Sequence, residues 1–385
     1  MATESRMLAA APLASLVLAV CAPGLAQESN PTQASTALYV RSDTDNTTVV
    51  TPRLRVGAPL AESSRLDLVY TVDVWSSASI DVRTAASLDA RGNYKYVVEQ
   101  RDEIDVSAEH GLGDSILGAS YRYSVEYDYE SHGGSLGLSQ SLAEKATTLA
   151  LTARAYFDRV GRAGDPSFDR PLRQLGMRAS FNQVLTPEAF VSAAYELTHL
   201  EGYQASPYRS VRFGETPQAW LGGCVLPVKA CKPENNPNTR LRHALALSGR
   251  HALSDGLSAG LGYRFYIDDW ELMSHTLDAD AAFGFGEGWL VSAAYRFYTQ
   301  GSAAHFESLY PADYAGAYYT GDKELSALSS HRLALELSKR TALDELGSEL
   351  GIALRISPSY YLYDAFALLD DVSAIEATIA TELSL

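Results

Sequence analysis

"LGASYRYSVEYDY", Leu117–Tyr129, reads by twos. Leu117, Ala119, Tyr121, Tyr123, Val125, Tyr127 and Tyr129 fall on one face, and Gly118, Ser120, Arg122, Ser124, Glu126 and Asp128 on the other. That period belongs to a β-strand lying between an apolar and a polar environment. It recurs along the chain. Leu66, Leu68, Tyr70, Val72 and Val74 alternate with Asp67, Thr71 and Asp73. Leu257, Ala259, Leu261, Tyr263, Phe265 and Ile267 alternate with Ser258, Arg264 and Asp268, and Leu350–Ile356 repeats the pattern near the end. The longest runs exceed the ~5–6 residues usual in soluble sheets. They match the ~9–11 residues with which a tilted strand crosses a bilayer.

The connections agree. Every second one is short: near Ala61, Gly111, Leu142, Leu185, Leu253, Gly286 and Ala342. Among the others, 83–93, 202–238 and 300–323 are long. The pattern predicts an all-β, antiparallel transmembrane barrel of about sixteen strands, with short periplasmic turns and long extracellular loops. Pro52 and Pro358 fall inside strands, where they are expected to mark bulges or the ends of pairing.

Met1–Ala26 reads as a secretory signal peptide, an apolar stretch ending in small Gly24 and Ala26 before Gln27. Residues 27–385 then form the barrel, exported to the outer membrane. Outside the cytoplasm, Cys224 and Cys231 are expected to pair as a local disulfide. A net charge of −16 argues against a nucleic-acid partner, which requires a basic face.

The motif Tyr-Arg-Phe-Tyr occurs twice, at Tyr263–Tyr266 and Tyr295–Tyr298. The alternation turns Tyr263, Phe265, Tyr295 and Phe297 to lipid near the outer rim, as an aromatic belt that also takes in Trp270. It turns Arg122, Arg154, Arg264, Arg296, Arg355, Glu126, Asp128 and Asp268 to the lumen. These opposed charges act either as a selectivity ring in an open pore or as a dry plug of paired charges. Asp268, Asp278 and Asp280 are the expected counter-charges of Arg264 and Arg296. No catalytic site is expected. Ser274 and His275 point to opposite faces of a strand, and His132, His243, His305 and His331 lack ligand spacing. No metal or cofactor is implied.

The segments "GYQASPYRSVRF" (Gly202–Phe213), "PENNPNTRLRHALAL" (Pro233–Leu247), "YRFYIDDWELMSHTL" (Tyr263–Leu277) and "AAYRFYTQGSAAHF" (Ala293–Phe306) resemble the domain of unknown function 3570 family. "VDVWSSASIDVRTAAS" (Val72–Ser87) and "SVEYDYESHG" (Ser124–Gly133) resemble its earlier marks. The resemblance implies a bacterial outer-membrane barrel without an established activity. It also implies gene neighbours: a small lipoprotein, a thioredoxin-like protein and a flavin-attaching enzyme. Two functions follow as expectations: a porin-like channel for small solutes, or a non-conducting structural or partner-binding barrel of an envelope complex, of the electron-transfer kind that those gene neighbours suggest. Outer-membrane lipid and the barrel assembly machinery are the expected partners, although Leu385 stands where such barrels usually end on an aromatic.

Overall fold

The structure is a computed structural model that describes residues 31–77, 97–214, 231–343 and 347–385. The signal peptide, Cys224 and the connection 83–93 lie outside the described residues. The first nine strands are β1 (Gln33–Asp43), β2 (Thr47–Ala61), β3 (Ser64–Ser77), β4 (Val97–Leu112), β5 (Ser115–Glu126), β6 (Tyr129–Leu142), β7 (Thr147–Val160), β8 (Arg170–Thr186) and β9 (Ala189–Gly202). Two short strands follow, β10 (Ser210–Arg212) and β11 (Cys231–Pro233). The remainder are β12 (Thr239–Ser254), β13 (Leu257–Asp268), β14 (Met273–Phe285), β15 (Trp289–Gln300), β16 (Leu328–Ala342), β17 (Glu349–Tyr363) and β18 (Asp371–Ser384).

Among the described residues, all strands except β10 and β11 close into one antiparallel barrel of sixteen, in sequence order, with β1 against β18. Closure leaves no unpaired edge, so the backbone polar groups are satisfied between strands, as hydrocarbon requires. The even count brings both ends to one rim, where Thr32 and Leu385 exchange backbone hydrogen bonds of 3.1 and 2.9 Å. The short turns share that rim. Three register shifts, at Pro59/Ala61, Val184/Thr186 and Ala252/Ser254, all occur close to it.

Apolar side chains cover the outside of the wall. Leu136, Leu261 and Leu335 are 70%, 72% and 64% exposed, the reverse of a soluble protein. The packed core lies instead at the outer mouth. Trp270, Leu272, Ala303, Phe306, Leu325, Leu328, Tyr363, Phe366 and Val372 form one cluster, with the lumen tyrosines Tyr266 and Tyr298 against it. Val211, Phe213 and Tyr310 form a second.

Several local expectations are corrected. The opening stretch is not one strand. Glu126 pairs with Tyr129 across a two-residue turn at Tyr127–Asp128. Such a turn places 126 and 129 on the same face, so the phase inverts there. Tyr129 therefore points into the lumen and donates to Asp158 Oδ2 at 2.6 Å. Asp128 sits on the outer turn rather than in a lumen ring, and accepts from the Tyr208 hydroxyl. Trp270 is not in the lipid belt. It lies in the turn after β13, where Asp268 Oδ1 accepts from the backbone N–H of Trp270 (3.0 Å) and of Leu272 (3.2 Å). That turn folds the indole inward, to 3% exposure. Pro52 and Pro358 produce no register shift. Each keeps its pairing with one neighbour (Leu38, Ile375) and interrupts the ladder toward the other, because proline has no N–H to donate.

Candidate functional site: the lumen wall and the closed outer mouth

Alternation puts the polar residues of each strand into the lumen, where cross-strand neighbours pair. Arg101 meets Asp73 at 2.6 Å, Arg122 meets Asp105 at 3.0 Å, and Arg296 meets Asp278 at 2.6 Å. Arg355 lies 3.6 Å from Glu336, Arg154 binds Glu196, and Arg250 binds Asp280. Glu126 is buried 4.0 Å from Arg101. Their solvent access varies: the Arg122 side chain is 41% exposed and that of Arg154 33%, but that of Arg355 only 13%.

The two Tyr-Arg-Phe-Tyr motifs differ in the lumen. Arg296 holds Asp278, but Asp280 is taken by Arg250 and Asp268 by Arg240. Arg264 is left exposed with no carboxylate within ion-pair distance. Arg53, Arg178 and Arg340 share that condition among the described residues; each alternates with lipid-facing side chains. On the outside, Tyr263, Phe265, Tyr295 and Phe297 face away from the lumen, and the hydroxyls of Tyr263 and Tyr295 meet His275 and His331.

The described parts of two long connections, 203–214 with 231–238 and 301–327, pack across the outer mouth and narrow it. Gly202 sends the first of them inward. Its φ of +125° and a Cβ position 2.2 Å from Pro171 O exclude any side chain. β10 pairs with β11, and isolated bridges at Phe213–Tyr310 and Asn235–Tyr319 join the two connections. Arg209 clamps them. Its Nη1 lies 3.2 Å from Glu234 Oε1 and 2.9 Å from Asp322 Oδ2, and those carboxylates are 0% and 2% exposed. Glu234 also accepts from Ser206 N at 2.7 Å and from the Thr320 hydroxyl. Lys323 reaches Asp45 on the first outer turn at 2.7 Å. Arg240 binds Asp268 at 2.6 Å and lies 4.1 Å over the Trp270 ring.

His305 is wedged between these connections. Its Nε2 is 3.0 Å from Asn236 Oδ1, and its ring stands edge-on to Trp270 at 5.0 Å. Burial pushes its pKa down to about 4, with Arg240 acting in the same direction and Asp268 against it. A lowered folded value means that the opened loop binds the proton more readily. Mouth stability is therefore full above pH ~6.5 and is lost as pH falls toward 4. Hydrogen exchange in 301–327 is expected to rise across that window and to lose this dependence in His305→Gln. A flat wild-type profile would contradict it.

The arginine clamp was invisible to sequence reasoning, since its partners lie 25 and 113 residues from Arg209 and on loops without periodicity. The histidine pairs had a signal that went unused: each histidine falls on an apolar face one strand after a tyrosine.

A closed barrel with an apolar outer band, a charged lumen and short turns gathered at one rim defines an outer-membrane β-barrel protein. The chain belongs to the family described as "Protein of unknown function (DUF3570)", whose model matches residues 5–174 and 172–362. No curated protein matches the sequence. Similar solved structures include a bacterial polysaccharide outer membrane secretin (9% identity, TM-score 0.49, 91% of this chain and 98% of that one). They also include the outer membrane protein opdK of Pseudomonas aeruginosa (8%, 0.44, 92% and 98%). The ferric enterobactin receptor of the same organism is a third (12%, 0.45, 88% and 55%), and the chain spans about half its length.

Proposed function

We propose that the protein is a porin-like, non-enzymatic channel for small solutes in the outer membrane, restricted at its outer mouth by the loops that Arg209 clamps. The observation that carries this reading is the contrast in solvent access along the lumen. Wall ion pairs such as Arg154–Glu196 (33% and 25%) and Arg296–Asp278 (28% and 27%) keep about a quarter to a third of their side-chain surface, and Arg355–Glu336 keeps 13% and 16%, whereas Arg240–Asp268 at the mouth is closed to 6% and 0%. Sixteen strands enclose enough room for a water-filled channel. The apolar band takes outer-membrane lipid as its partner.

Paired charges on the wall cancel over short distances, so selectivity falls to the uncompensated groups among the described residues: Arg53, Arg178 and Arg264 in the middle and outer lumen, and Arg340 with Glu109, Glu349 and Glu382 toward the short-turn rim. The arginines of the middle and outer lumen favour anions there. Arg264→Ala is expected to shift the reversal potential in a salt gradient toward cation preference. It should leave stability within about 1 kcal/mol, since the group is exposed and holds no partner. An unchanged reversal potential would remove Arg264 from the permeation path.

A further inference from the structure

Four histidines share one geometry on the lipid side of the barrel. The Nδ1 of His132, His243, His275 and His331 lies 2.7, 2.7, 2.7 and 2.8 Å from the hydroxyl of Tyr121, Tyr195, Tyr263 and Tyr295. Each tyrosine is on an outward-running strand. Each histidine is on the next barrel strand in sequence, in register with the residue two beyond the tyrosine: Tyr123, Leu197, Phe265 or Phe297. All four histidines lie within the first five residues of their strands, near the outer rim. In the β7–β8 hairpin the same register position, across from Phe157, holds Arg173.

Five consecutive outer hairpins, β5–β6 to β15–β16, therefore carry a nitrogen donor at one height on the lipid face. Neighbours are two strands apart, about 10 Å. A phenol is the stronger donor and a neutral imidazole nitrogen the stronger acceptor, so the tyrosine fixes the ring with its proton on Nε2. In His132 that nitrogen meets Glu130 at 3.2 Å. In His243, His275 and His331 it has no hydrogen-bond partner among the described residues, and Arg173 has none there either. Glu201, in register beside Arg173, does not come within ion-pair distance of it. The acid that holds this position in the preceding hairpin, Asp102, is outside the arc and already accepts from Tyr70 (2.5 Å) and Gln100 (2.9 Å).

We infer that this arc binds the phosphate groups of outer-leaflet lipid, the open Nε2–H groups and the Arg173 guanidinium donating to phosphate oxygens at headgroup level. Four open donors, on His243, His275, His331 and Arg173, match a group that only accepts, and the permanently charged guanidinium among them favours an anion. An aromatic belt alone would need neither the repeated diagonal pairing nor the arginine.

The full chain, refolded in micelles with equal amounts of phosphatidic acid and phosphatidylcholine and then freed of unbound lipid, tests this by the ratio of the two lipids that co-elute. The wild type is expected to enrich phosphatidic acid several-fold over the micelle ratio. The variant R173L/H243F/H275F/H331F is expected to return to the micelle ratio while keeping its heat-modifiable band. If that variant does not fold, R173L/H275F is expected to lose part of the enrichment. A wild-type ratio equal to that of the micelle, or enrichment unchanged in either variant, would overturn the inference.

Discussion

Leu261→Arg is expected to destabilise the folded barrel by about 2–4 kcal/mol, the range for a cation placed in hydrocarbon near the midplane of a barrel strand. Leu261 is in the middle of β13 and is 72% exposed, with nothing on that face to receive a charge. The matching lumen substitution cannot be made next to it. A side chain on Gly260 would meet Asp280 at 2.6 Å and Arg250 at 3.0 Å, so it would displace their ion pair. Ser292→Arg serves instead. It lies on the lumen face of β15, in register with Glu336, and should change stability by only about 0.5 kcal/mol. Urea titration of the refolded protein in vesicles, followed by the heat-modifiable band, compares the two. Equal losses would mean that the two faces are wrongly assigned.

Arg209→Leu should have an effect as large, but confined to the mouth. It leaves Glu234 and Asp322, both nearly inaccessible to water, without their shared counter-charge. Breaking a buried pair from one side costs about 3–5 kcal/mol. The barrel ladders do not depend on this clamp. The expected outcome is a folded barrel whose connections 203–214 and 301–327 become open to protease. Adding Glu234→Gln and Asp322→Asn removes the stranded charges and is expected to restore much of the protection. Loops in Arg209→Leu that resist cleavage as well as the wild type would show that the clamp does not hold the mouth.

Much of the architecture was legible because a strand between lipid and water has to alternate, and tight turns have to punctuate it. The limits of that logic appear at the turns. Tyr127–Asp128 inverts the phase without any glycine or proline to announce it, so Tyr129 and Asp128 were assigned to the wrong places. Trp270 looked like a belt residue by composition, but its position depends on the Asp268 side chain capping the turn. Alternation assigned Arg264 and Arg296 to the lumen equally well. It could not distribute their carboxylates, because that depends on which neighbour, Arg240 or Arg250, reaches Asp268 or Asp280 first across the strands. The mouth was unreadable for a related reason: its contacts join loop residues far apart in the chain, where no period operates.

Single-channel recording of the purified protein in planar bilayers tests the account most directly. A wet lumen behind a clamped mouth predicts discrete ohmic steps for the wild type and larger steps for Arg209→Leu, with ion preference shifted by Arg264→Ala. Silent bilayers for the wild type and for Arg209→Leu, with both proteins folded and inserted, would contradict it.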